Sequence, residues 1–370
     1  MDDADREEQF DADLTDPLDA DLEDRLDAET RPRAVTALPD GSVDSYYDAY
    51  GDRAERITSA ADFGERVAES DNPSVRLSRT ARTPGGQAVT MARQAHALGD
   101  DATLFGHLDD PVFDDLDFEA RSMGEPEAVQ VLEFDDEEVL LADNSADVTD
   151  WRLADLEAVA DDPDAALTAE AVCCGNWVSV ENLSEELRRL AGRSLDGDLF
   201  LLDPGNVAAA DPGRVRDLAD ALRELGDTHE VVVSANRPEL RAAVEILDAR
   251  ADAPDASDRP ARVPDDSEIV AAVRERTGAT AVVMHETDAA IAATPEGRKR
   301  VPNYEVRDAN RPTGAGDCFT AALAHALVRD WHWTEALDLA NLAAAHRVET
   351  GEPGDRASFR EFLQSHERKE

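Results

Sequence analysis

The sequence predicts an α/β fold in which a largely parallel sheet carries helices on both faces. Three observations lead there. Short apolar runs alternate along the chain with amphipathic stretches of about 10–15 residues. Two glycine turns, Gly85-Gly86 and Gly314-Ala315-Gly316, each open a helical pattern. The polar residues capable of chemistry cluster where the apolar runs end, which in an open α/β sheet is where ligands bind.

Taken in order, residues 1–33 are densely acidic. They offer one short helix from Pro17 to about Glu29, with Asp16 as N-cap, but a solvated, partly disordered extension is expected. The folded domain is expected over 34–370. Residues 34–38 read as a first strand, 39–42 as a turn, and 43–47 as a second strand that Ile57-Thr58 continue. Residues 60–69 are helical. Residues 83–87 form a glycine turn into a small-residue helix, 88–98, stopped by Gly99; 103–106 is then a strand. Residues 109–124 read as an acidic loop. Residues 127–133 and 138–142 alternate around Asp135-Asp136 as a hairpin.

A helix is expected over 150–160. Three strand–helix units follow, with strands at 171–175, 199–203 and 230–234 and helices at 182–191, 211–224 and 237–248. Residues 250–266 are polar and Pro-rich, a surface loop. Helix 267–276, strand 280–284 and a strand pair at 289–294 and 299–302 lead to the second glycine turn. Helices 315–328, 333–350 and 356–364 close the chain. No internal repeat is present.

At 370 residues, the chain suits one large α/β domain or two small ones. It carries 84 Asp and Glu against 37 Lys and Arg, a net charge of −47, and its lysines are Lys299 and Lys369 alone. Acid excess spread over the whole chain is read as a protein of an extreme halophile, adapted to molar salt that screens self-repulsion within about 3 Å. The same charge argues against nucleic acid and anionic membranes as partners, since no basic patch exists to neutralise phosphates. Cys173, Cys174 and Cys318 show no metal-ligand spacing and read as buried reduced thiols. With no leader-like or membrane-length apolar segment, a cytoplasmic protein is expected.

The most informative stretch is Thr313-Gly314-Ala315-Gly316-Asp317-Cys318-Phe319. Glycines allow a tight turn and close approach of the backbone to a ligand. A helix starting there turns free N–H groups and its positive dipole end toward the turn, which suits a phosphate. Asp317 cannot add to anion binding. Its sensible task is to accept a proton from a hydroxyl attacking phosphorus, so the local reading is phosphoryl transfer to an alcohol. The plainer alternative is that Thr313 caps a helix behind an ordinary tight turn.

With Asp44 after the first strand, Gly85-Gly86, Asn236-Arg237-Pro238-Glu239 after a strand and the Gly-Ala-Gly-Asp turn in this order, the chain resembles the ribokinase/PfkB family of carbohydrate and nucleoside kinases. The resemblance spans about 34–363. It implies a ribokinase-like three-layer αβα sandwich with a small β-sheet lid from about 43–58 and 125–145. It also implies Asp317 as base, and the main-chain N–H groups of Gly314, Ala315, Gly316 and Asp317 as the anion hole. Asp44, Gly85, Gly86 and Thr90 would bind the acceptor. Asn236, Thr313 and Asn341 would lie about the ATP, and Glu239 with Asn236 would hold Mg²⁺ through water.

The expected partners are therefore a small sugar and a nucleotide, with a homodimer through the lid by analogy. Alternatives are a nucleoside acceptor, another phosphoryl donor such as ADP, or a catalytically weak binding relative. Arg311-Pro312 stands where the family usually has Asp-Thr, His285-Glu286-Thr287-Asp288 where it tends to have Gly-x-x-Gly, and Thr90 where an Asn is common. His107 reads as a satisfied histidine rather than a catalyst.

Overall fold

The computed structural model describes residues 22–28, 31–51, 54–69, 74–135, 137–193, 195, 197–249, 264–307 and 313–369. Most of the expected N-terminal extension, nearly all of the 250–266 loop, Asp136 and the Arg311-Pro312 pair lie outside those residues. The strands are β1 Ala34–Leu38, β2 Ser42–Tyr50, β3 Arg76–Gly85, β4 Asp101–Gly106, β5 Glu119–Ser122, β6 Glu127–Glu133 and β7 Glu138–Asp143. They continue as β8 Ala171–Cys174, β9 Leu199–Leu202, β10 Glu230–Ala235, β11 Ala281–His285, β12 Ala289–Thr294 and β13 Gly297–Pro302.

Nine strands form the large sheet in the order β13-β12-β11-β10-β9-β8-β1-β4-β5. All neighbours from β11 to β5 are parallel, and β12 and β13 continue antiparallel. Parallel strands covered on both faces read as continuous apolar runs. Here Ala171 and Cys173 enter one core while Val172 and Cys174 enter the other. Helices Gln87–Ala97, Ala315–Leu327 and Trp333–Thr350 contribute to the first core. Leu183–Ala191, Pro212–Leu225, Arg237–Asp248 and Asp266–Thr277 contribute to the second. This is the expected three-layer sandwich. All three thiols are buried and free, and no described helix is long and apolar enough to cross a membrane.

The small sheet has the order β3-β2-β6-β7, with β2 and β6 parallel and the outer pairs antiparallel. The expected hairpin is present, but β3 is an addition to the lid as read from sequence. Its first five residues are all exposed, so it shows no apolar alternation to betray a strand. Strand β5 likewise lies inside the stretch expected to be loop; it is a short polar edge strand beside β4. Residues 22–27 are helical and depart from the expected solvated extension. Leu22 and Leu26 are buried in the first core, and Arg25 donates to Glu335 at 3.1 Å. Two leucines four apart are enough to dock one helical face.

Candidate active site

Strand order reverses between β1 and β8, so the loops leaving these strands part and open a crevice. Asp40 follows β1, Asn176 follows β8, Asp203 follows β9, Asn236 follows β10, and His285 ends β11. The two glycine turns supply the facing helix starts. At the first, Gly86 has φ 101° and no side chain with which to cap helix Gln87–Ala97. The cap comes from afar: the Asp40 carboxylate accepts from the N–H groups of Gln87 at 3.0 Å and Ala88 at 2.7 Å. At the second, Gly314 takes a left-handed φ of 83°, and no side chain caps helix Ala315–Leu327. Its first-turn N–H groups are left for an anion.

Asp317 sits in the first turn of that uncapped helix and is buried. Burial, then the charges of Asp203 and Asp40, holds its carboxyl well above the usual range, while Gln87 and Arg347 oppose the shift. The carboxyl is thus a strong proton acceptor once ionised. Arg347, near the end of helix Trp333–Thr350, donates from Nε to the Thr313 carbonyl at 3.3 Å. A Cβ on Gly314 would lie 3.4 Å from its Nη2 and 3.4 Å from Cγ2 of Thr90. The glycine turn is therefore pressed between a cation and the helix that follows Gly85-Gly86.

Asp44 lies on β2 and accepts from Ser42 Oγ at 2.6 Å. A Cβ on Gly85 would fall 2.2–2.3 Å from the Asp44 carboxyl atoms. The glycine at that position makes room for the acid. Thr313 meets the lid as well, its hydroxyl donating to Glu138 of β7 at 2.8 Å. Asp44, Gly85, Gly86, Thr90, Thr313 and Gly314–Asp317, named from sequence, thus converge in one crevice under the small sheet.

Asn236 and Glu239 form a reciprocal capping box, each side chain accepting from the other's backbone N–H at 2.9–3.0 Å. Burial and then the Asp203 charge push Glu239 up to about 8, and Asp203 is raised by burial too. A buried pair of carboxyls, one raising the other's proton affinity, is a pair whose charge a hard cation could neutralise. Among the described residues no group of three or more His, Cys, Asp and Glu could hold an ion. A hydrated Mg²⁺ asks for few carboxylates, and Asp203 and Glu239 are the buried pair that could hold one through water.

Asn341 stands apart from this centre, donating from Nδ2 to the carbonyls of Val301 at 3.1 Å and Pro302 at 3.3 Å. His107 is buried, with Nδ1 2.8 Å from the Pro39 carbonyl, which satisfies it as expected. The acids of the 285–288 loop turn toward Arg237. Glu286 accepts from its backbone N–H at 2.6 Å and from Nη1 at 3.2 Å, and Asp266 takes Nη2 at 2.8 Å. His285 packs on Phe319, with ring centroids 5.3 Å apart. Its buried Nε2 has no hydrogen-bond partner, and a Cβ on Gly316 would come within 2.9 Å of its ring.

Sequence reasoning missed Asp40, Gln87, Glu127, Asn176, Asp203 and Arg347. For Asp40 and Asp203 a signal existed: each is an acid just past the carboxyl end of a buried parallel strand. The others have no local signature.

Comparison with known proteins agrees with this fold. The structure superposes on a nucleoside kinase of the ribokinase family from Methanocaldococcus jannaschii with a TM-score of 0.62 at 13% identity, covering 91% of this chain and 100% of that one. An Arabidopsis thaliana ribokinase, solved with ribose and ATP, gives 0.61 at 16% identity, covering 91% and 99%. A Xylella fastidiosa fructokinase with bound ATP gives 0.62 at 13%, covering 90% and 98%. The fold is that of ribokinase-type carbohydrate kinases. A ketohexokinase from Haloferax volcanii is 29% identical over 349 residues, 87% of this chain and 88% of that protein. The prokaryotic ketohexokinase family profile matches residues 24–366, and the chain belongs to that family. It is a carbohydrate kinase.

Proposed function

We propose that the chain transfers the γ-phosphoryl group of ATP to a hydroxymethyl group of a ketohexose, with Asp317 as base. The observation that supports this most is the buried, proton-avid Asp317 at the uncapped start of helix Ala315–Leu327, acted on by Asp40 and by Gln87, the residue after Gly85-Gly86. The acceptor oxygen attacks the γ-phosphorus as its proton passes to Asp317. The bond from phosphorus to the bridging oxygen breaks, and ADP leaves with that electron pair. The N–H groups at Gly314–Asp317 face the charge that spreads over the transferring oxygens, already oriented before it develops. Asp203 and Glu239 would hold a hydrated Mg²⁺, which when bound neutralises donor phosphate charge.

The acceptor side also speaks to charge. Asp40 acts on Asp44, Glu127 and Asp317 there, Asp44 acts on Glu127, and Arg347 opposes the shifts of Asp44 and Asp317. An uncharged polyol suits such a site; a sugar acid or sugar phosphate meets like-charge repulsion.

The test is acceptor-dependent ADP release in molar KCl with ATP and Mg²⁺, over ketohexoses, aldoses, sugar acids, sugar phosphates and nucleosides. Turnover confined to ketohexoses is expected, and chelation of the metal abolishes it. Turnover with nucleosides alone, or with no acceptor, would sink the reading.

The charge of −47 supports a high-salt protein. Its thermal midpoint is expected to rise steadily from low salt to molar KCl as self-repulsion is screened; a midpoint independent of salt contradicts it. The half-exposed Leu140 and Leu141 lie on β7, an edge strand of the lid. They support pairing of two copies through the lid, which light scattering in molar salt tests directly.

A further inference from the structure

Glu127 opens β6, and its position in the lid was not among the residues that the sequence singled out. The register pairs Glu127 with Ser42 of β2, which also pairs with Gly85 of β3. Paired residues of neighbouring strands share a face, as do residues two apart on one strand. Glu127, Ser42, Asp44 and Gly85 therefore occupy the same face of the lid, the one turned to the crevice. The burial pattern agrees, with Glu127 buried and Ala128 exposed. Glu127 is only 5% exposed.

One of its oxygens, Oε2, accepts from Asn176 Nδ2 at 3.0 Å. Asn176 is itself fixed: its backbone sits at φ 56° and its N–H donates to the Gln87 side chain. The other oxygen, Oε1, is buried with no hydrogen-bond partner. Ser179 bears on the carboxyl but does not supply that bond. Asp40 and Asp44 act on the same carboxyl as charges that, after burial, raise it to about 7, and neither makes a hydrogen bond to Oε1.

A buried carboxylate oxygen without a donor costs free energy, and natural proteins rarely leave one so. A polyhydroxyl acceptor brings the missing donors. Resting on the acceptor site of the proposed kinase, we infer that Glu127 is a specificity-determining residue whose Oε1 accepts a hydrogen bond from one hydroxyl of the bound sugar, with Asn176 positioning it. A site built around such a bond rejects an acceptor lacking that hydroxyl, since the oxygen is then left dry and unpaired. Because Glu127 belongs to the lid, the same bond draws the small sheet onto the sugar.

The test compares wild type, Glu127→Gln and Glu127→Ala with a ketohexose and its set of monodeoxy derivatives. Both kcat/KM and calorimetric binding without donor are read, and thermal unfolding confirms that each variant is folded. In Glu127→Ala the acceptor KM is expected to rise about 10–100-fold, as for loss of a charge-assisted bond. Discrimination against one monodeoxy isomer collapses while the other isomers keep their ratios; Glu127→Gln falls between. A uniform loss with every ratio unchanged would overturn the inference, because a merely structural carboxylate weakens all acceptors alike. Selective collapse in binding, without turnover of any ketohexose, supports the inference and counts against the kinase reading alone. No binding of any ketohexose overturns both.

Discussion

Asp317→Asn is expected to lower kcat by about 10²–10⁴-fold and, in the same protein, to raise the thermal midpoint at neutral pH. The two effects share one cause. Burial, reinforced by the charges of Asp203 and Asp40, holds the carboxyl well above its ordinary range in the folded chain. Above the unfolded pKa the unfolded chain gives up this proton first, so the folded state binds more protons and stability falls as pH rises. The loss begins in the ordinary carboxylate range and is complete above the raised folded value. Asparagine fills the same space without ionising, so the variant's advantage is absent in acid and grows through that window. Activity runs the other way. The base works only as carboxylate, so the acid limb of kcat/KM lies above the usual range for an Asp, and the variant loses that limb. Rate profiles and unfolding midpoints measured in the same buffers check both. A variant that keeps wild-type turnover, or melts lower at neutral pH, contradicts the assignment of Asp317.

This trade between stability and chemistry explains why the centre of the site was readable and its surroundings were not. Gly314, Gly316 and Asp317 are legible because their constraints are local: a left-handed φ at the cap, close approach of the backbone, an acid in the first turn. Helices such as Arg237–Asp248 and Trp333–Thr350 were legible to within a residue or so for the same reason. The residues that tune Asp317 come from far along the chain. Asp40 caps a helix 47 residues later, and Arg347 reaches a carbonyl 34 residues before it. No period or motif records such meetings; the parallel pairing of β1, β8 and β9 places Asp40 and Asp203, and the packing of helix Trp333–Thr350 on helix Ala315–Leu327 places Arg347.

Asn236 and Glu239 show why a motif carries two readings at once. Their capping box is a complete local explanation of Asn-x-x-Glu. The same geometry also holds Glu239 beside Asp203, where burial and like charge raise it to about 8. Helix capping does not exclude the cation role proposed for Glu239. The lid was the hardest part to read, because the first half of β3 is exposed on both faces, leaving no apolar alternation to detect.

Adjacent glycines of the first turn are expected to fail in different ways when given a methyl group. At Gly85 the added Cβ would come within 2.2–2.3 Å of the Asp44 carboxyl. That group is the far end of a side chain and can swing aside, at the loss of its 2.6 Å bond from Ser42. Gly85→Ala is therefore expected to keep the fold and lose about 10²-fold in acceptor kcat/KM, the cost of displacing a positioning group by roughly 1 Å. At Gly86 the Cβ would meet backbone, Gly41 Cα at 2.8 Å and Ser42 N at 3.0 Å, at a φ of 101°. Neither the neighbour nor the torsion yields cheaply. Gly86→Ala is expected to destabilise the whole protein by about 1–3 kcal/mol, seen as an earlier unfolding transition. Asp44→Ala separates the mechanisms. If Gly85→Ala acts by displacing Asp44, adding it to Asp44→Ala costs little more acceptor activity, and the two substitutions couple strongly. Independent, additive losses would show that the methyl group injures the site by another route.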